Sequence, residues 1–179
     1  MRFLPLDLKI GRRVYKFTQL ILPSSSITLT GDSDVLNLLT ANIAANPPAV
    51  TTPMPRVQRL VWGSMDPLRL LGLKLQPDIV FASDVVYGND PTKWQALIST
   101  LSQLSGPRTL VVISNVRRYP VHHPMSESKF FEEAMSTDFE RSEAPVTALH
   151  PEFRRTGAGG CALHLFVRRS KLLKRQRQC

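Results

Sequence analysis

Cysteine is scarce in this chain. Cys161 and Cys179 are the two that its 179 residues contain, and no CxxC pair exists on which a zinc module could be built. A disulfide framework is excluded on the same count, and two thiols suit a reducing compartment, the cytoplasm or nucleus. Long apolar runs are also missing. None reaches the roughly 18 residues of a spanning helix, so no membrane segment is expected. Acid is short, with 14 Asp and Glu against 23 Lys and Arg, which gives a net charge of +9. That excess is confined to the ends: residues 168–179 carry +6 and residues 1–25 carry +4, which leaves −1 for residues 26–167. A neutral body offers no basic face, so nucleic acid is expected to meet the chain only through the basic tail. That tail is otherwise a solvated end or a localisation signal. The N-terminal MRFLPLDLKIGRR lacks the apolar core and small-residue cleavage site of a secretory signal.

What is present is globular. Hydrophobic residues make up 42% and charged residues 21%, enough for a core without staples. Apolar runs bounded by turn residues recur through the body. Strands are expected at 27–30, 57–62, 78–82, 109–114, 138–142 and 161–168. Helices are expected at 34–46, capped by Asp34 and stopped by Pro47-Pro48, and at 91–104, with Asp90 as cap and Pro91 in the first position. A third, amphipathic helix is expected at 126–136. The central strands are apolar throughout, which predicts a mostly parallel α/β sheet covered by helices on both faces. The last two strands predict an antiparallel pair at one edge.

Such sheets bind ligands beyond the carboxyl ends of their strands, and polar and aromatic residues stand at those places. Asp32, after the first of these strands, either accepts hydrogen bonds from a ribose or, like Asp34, only caps the next helix. Trp62, after the second, either stacks on a purine or belongs to the core. After the third come Ser83 and Asp84, with Tyr87 one turn on. A carboxylate and a phenol together can hold a primary amine, and the plainer reading is a loop aspartate beside a half-buried tyrosine. Arg117-Arg118 after the next strand fit a solvated loop, or contact with an acidic substrate. His122-His123 have no Cys or acid at ligand spacing, so no metal site is expected. His164 reads as a satisfied core residue.

Taken together, ITLTGDSDVLNLLTANI, LVWG, DIVFASDVVY and TLVVISNVRR, in this order and spacing, resemble the seven-β-strand protein-lysine methyltransferases of eukaryotes. The resemblance covers about residues 18–168, and ASDVVY matches the DxxY signature of that family. The NPPY tetrapeptide of methyltransferases acting on base or glutamine amide nitrogens is absent. The resemblance implies a Rossmann-like fold, S-adenosyl-L-methionine as cofactor and a lysine of a protein substrate as acceptor. Residue by residue it implies that Asp32 binds the ribose, Trp62 lies by the adenine and Ser83 lines the methionine end. Asp84 and Tyr87 would orient the acceptor lysine.

The chain departs from the family in three places. Gly31 occupies the usual position of the ribose acid, and Val61 replaces a polar residue before the Trp. The E/D-x-G-x-G-x-G loop that follows the family's first strand does not occur. Residues 18–22 are expected to end the helix after that loop, and Gly157–Gly160 to form a turn between edge strands. The organisation expected is a divergent segment 1–25, a methyltransferase-like domain 26–168 lacking its first strand or replacing it, and a basic tail 169–179. Cofactor binding should accordingly be weak. The alternative is a catalytically impaired, truncated methyltransferase-like protein with a binding or scaffold role.

Overall fold

The computed structural model describes residues 3–10, 13–20, 26–45, 54–86, 90–123, 126–149, 151–154 and 159–169. Its strands form three sheets. Strands β1 (Phe3–Ile10) and β2 (Arg13–Leu20) make an antiparallel hairpin that pairs with no other strand among the described residues. Residues 18–20 therefore extend a strand, not the end of a helix. Strand β3 (Thr28–Gly31) leads through helix α1 (Ser33–Ala45) to β4 (Arg56–Arg59), and β3 and β4 are parallel. The third sheet has the order β5-β6-β8-β7, built from Ile79–Ser83, Leu110–Val116, Cys161–Arg168 and Phe139–Glu143. Its β5–β6 pair is parallel, and β8 runs antiparallel to both β6 and β7. Two parallel β-α-β crossovers and an antiparallel end are the expected topology.

The chain divides into two compact units, Met1–Val61 and Trp62–Cys179. In the first, Asp32 rather than Asp34 precedes the helix, and Asp34 stands in its first turn. Ile43 is the buried residue of α1. Strand β4 ends at Arg59, three residues before Trp62, and Val61 is exposed.

The second unit holds the main core. Helix α3 spans Pro91–Leu104 as the sequence predicts, and the Asp90 carboxylate accepts from the Thr92 and Lys93 amides. Its inner face buries Leu97, Ile98, Leu101 and Leu104. The core adds Val111 and Ile113 from β6, Phe139 from β7 and Phe166 from β8. The helix expected at 126–136 is instead a π-helical turn, Phe130–Ala134, followed by a 3₁₀ turn, Met135–Thr137. Consecutive residues of an α-helix point about 100° apart. The wider π turn is seen here with two neighbouring phenylalanines, Phe130 and Phe131, both buried, their ring centroids 5.2 Å apart and edge to face. Sequence reading also passes over α2 (Pro67–Leu70), where the Asp66 carboxylate accepts from the Arg69 amide.

One further point corrects the expectation. Strand β5 is not buried throughout: among the described residues it ends its sheet, and Phe81 is 66% exposed. Of the turn expected at 157–160, residues 157 and 158 lie outside the described residues, Gly159 stands in a turn, and Gly159 and Gly160 exchange hydrogen bonds with Arg117 beyond the end of β6. Gly159 has φ +83, which a residue with a side chain would resist.

Candidate active site

Ser83 closes β5 in register with Ser114 of β6. The two hydroxyls meet at 2.9 Å, with Ser114 Oγ donating to Ser83 Oγ. One residue on, the Asp84 amide donates to the Ser114 carbonyl at 2.8 Å. The chain then turns through a left-handed backbone conformation at Asp84, φ 55. Aspartate tolerates this region better than most side chains. The cost is still about 1 kcal/mol or more, and such strain gathers at functional sites.

The turned carboxylate does not stand free at a cleft rim. Arg118, two residues past β6, donates from Nη2 to Asp84 Oδ2 in an ion pair. Oδ1 is buried and has no hydrogen-bond partner among the described residues. The charge is felt by Cys161 at the start of β8, whose thiol pKa is raised first by burial and then by Asp84. Arg117 is engaged too, donating to Glu143 Oε1 at 2.6 Å. The Arg117-Arg118 pair is thus an ion-paired element and not a solvated loop. Tyr87, the phenol expected to work with Asp84, lies outside the described residues.

Trp62 follows β4 in a turn with Gly63, φ +82. The Gly63 amide donates to Thr100 Oγ1 at 2.8 Å. The indole is partly buried and packs against the core of the second unit, so a packing role is certain for it. Asp32 belongs to the first unit. Its Oδ1 accepts from the Ser33 amide at 2.7 Å and from Arg59 Nε at 3.1 Å. The Ser33 amide, and next Arg59, hold its pKa below the usual carboxylate value. A side chain at Gly31 would collide with that of Val35. The structure thus brings Ser83, Asp84 and Arg118 together, with Asp32 described in the other unit.

Sequence reading misses a second polar cluster, around a cavity of about 160 Å³. Asn115 donates to Glu127 Oε1 at 2.9 Å, and both are buried. His164 is buried against Phe131, ring centroids 3.9 Å apart, with Nδ1 3.7 Å from Glu143 Oε2 and no hydrogen bond. Burial first, then the charge of Arg141, pushes its pKa down to about 4. His164 is a core residue as expected, but its Nδ1 has no hydrogen-bond partner among the described residues. Among the described residues no group of three His, Cys, Asp or Glu could hold a metal. No helix among them is long and apolar enough to cross a membrane.

An α/β sheet with a strained, ion-paired aspartate at a strand's carboxyl end fits the methyltransferase class. The family model described as lysine methyltransferase matches residues 15–137. The chain belongs to that family. It is 32% identical over 99 residues to the protein N-lysine methyltransferase METTL21A of Danio rerio, a match covering 53% of this chain and 41% of that protein. The chain thus spans about two fifths of that relative's length. The N-methyltransferase NodS of Bradyrhizobium japonicum superimposes with a TM-score of 0.54 at 10% identity, over 82% of this chain and 74% of that one. Its complex with S-adenosyl-L-homocysteine gives 0.53 at 12% identity, over 82% and 67%. A protein of Pyrococcus horikoshii gives 0.54 at 7% identity, over 82% and 73%. These likenesses bear out the Rossmann-like α/β fold.

Proposed function

We propose that this family member transfers a methyl group from S-adenosyl-L-methionine to a lysine side chain of a protein. The observation that carries the reading is Asp84, an anionic side chain held in a strained turn at the carboxyl end of β5, directly after Ser83. Bound cofactor would supply an activated sulfonium methyl. Asp32, whose Oδ2 has no hydrogen-bond partner among the described residues, would hold the ribose. Trp62 would lie by the adenine, and the Ser83 hydroxyl would line the methionine end. Asp84 and Tyr87 would fix the acceptor nitrogen, a positioning effect that shortens the search for the reactive geometry. Free lysine titrates near 10.4, so the site must admit the neutral amine. The cytoplasm or nucleus is where such a transfer would take place.

The sequence holds no E/D-x-G-x-G-x-G loop to receive the amino-acid half of the cofactor. That same feature favours a second reading, a methyltransferase-like binding protein. Tritiated S-adenosyl-L-methionine, incubated with the purified chain and a cell extract, separates the two. The expected outcome is slow label transfer to protein lysine that Asp84→Asn lowers at least 100-fold, with calorimetry giving a Kd for S-adenosyl-L-homocysteine weaker than about 10 μM. No transfer at saturating cofactor supports the binding protein.

A further inference from the structure

We infer that Arg118 is a specificity-determining residue of the acceptor site, an internal cation that keeps Asp84 from accepting a charged lysine. The inference rests on the functional reading above for the identity of the acceptor, but its geometry stands on the fold. The guanidinium is ion-paired with Asp84 Oδ2, and Oδ1 has no accessible surface. The carboxylate therefore presents no unneutralised charge to an incoming group. The pair is anchored from both sides. Asp84 is locked through its own amide on Ser114. Arg118 follows Arg117, whose backbone amide and carbonyl bond to Gly160 and Gly159.

Among the described residues the charged and titratable neighbours are these. Arg118 comes from the segment after β6, and the Cys161 thiol from β8 senses Asp84's charge. Arg117 also acts on that thiol, and its own charge is met by Glu143. An ammonium approaching Asp84 must either displace Arg118 or sit beside it. The first loses an ion pair, and the second sets two cations together, which disfavours the charged form. A neutral amine meets neither penalty, and can donate one N–H to Oδ2 beside the guanidinium, since a carboxylate oxygen accepts more than one hydrogen bond, while its lone pair stays available. The arrangement selects the protonation state that can attack a sulfonium methyl. It also favours product release, because displacement of the sulfide leaves the methylated nitrogen as an ammonium, which meets the same guanidinium.

Equilibrium binding of Nα-acetyl-lysine methylamide, followed by the backbone amide signals of Ser83 and Asp84 between pH 7 and pH 10.5, tests this without turnover. The wild-type chain should bind the probe more tightly as pH rises. Arg118→Met should bind it about tenfold more tightly at pH 7 and lose that gain toward pH 10.5, and Arg118→Lys should restore the wild-type slope. In the tritium assay Arg118→Met should lower KM and lower kcat together at pH 7, and move the acid limb of kcat about one pH unit higher. If Arg118→Met does not fold, Asp84→Asn serves in its place and should weaken probe binding at pH 7. An affinity that falls with pH in the wild type, an unchanged slope in Arg118→Met, or undiminished binding at pH 7 in Asp84→Asn overturns the inference. Wild-type binding with the expected slope but no methyl transfer overturns the functional reading and leaves this selection standing.

Discussion

The two parallel crossovers have the same plan and opposite burial. Helix α1, between β3 and β4, buries Ile43 and leaves Val35 and Leu38 exposed. Helix α3, between β5 and β6, buries six side chains, and β6 buries Val111 and Ile113 completely. Both helices follow an aspartate, and both carry apolar residues at helical spacing. Periodicity therefore specified the element in each case but not the depth of its burial. Depth comes from what the helix face meets. In the second unit Trp94 of the helix meets Phe130 edge to face, ring centroids 5.9 Å apart, and stability should be concentrated there.

The sharpest way to break this contrast is Leu101→Ala, which empties space in the larger core. It should cost about 2–5 kcal/mol, read as a fall in the urea midpoint with little change in slope. A loss below about 1 kcal/mol would mean that the second core is not the dominant one.

His164 tests the same core by pH. Its folded pKa is near 4, against 6.5 for an ordinary histidine. The unfolded chain thus takes up a proton that the folded chain refuses. The histidine's contribution is complete above pH 6.5 and is lost as pH falls toward 4, by up to about 3 kcal/mol. His164→Leu should flatten that part of the profile, measured as the difference in unfolding free energy from wild type at pH 7.5 and pH 4.5.

Asp90→Ala removes two hydrogen bonds from the start of α3 and should cost about 1 kcal/mol, visible as a drop of a few degrees in Tm. Leu38→Ala, on the outer side of α1, should change stability by less than about 0.5 kcal/mol. If calorimetry shows Leu38→Ala to be as costly as Leu101→Ala, the contrast between the two helices falls.

Helix α3 and strand β8 were legible to the residue, because Asp90-Pro91 and Ser105-Gly106-Pro107 punctuate one and the other alternates cleanly. The same Asp-Pro signal stands at Asp66-Pro67, but four helical residues are too few to show a period. The π turn hid for a related reason: its apolar residues fit helical spacing, and only the burial of two adjacent phenylalanines separates it from an α-helix. Of the candidate site, Ser83 and Asp84 could be placed at the strand end from apolar patterning alone. Their partner Arg118 lies 34 residues on, and an arginine pair after a strand looks the same in sequence whether solvated or ion-paired. Asp32 could also be placed at a strand end from the sequence, with ribose binding and helix capping both open, while the hydrogen bonds it accepts from Ser33 and from Arg59, 27 residues on, are visible only in three dimensions.

The exposed end of the third sheet bears on how the molecule keeps company with copies of itself. Strand β5, IVFAS, has no charge, no proline and one outward phenylalanine, and no strand among the described residues pairs with its outer edge. Natural sheets blunt such edges with lysine, proline or a bulge, because bare amides and carbonyls template the addition of another chain. Among the described residues none of those devices is present on this strand. Strand addition by a second copy of the second unit is therefore expected at five residues, Ile79–Ser83, which carry none of the chain's net charge of +9.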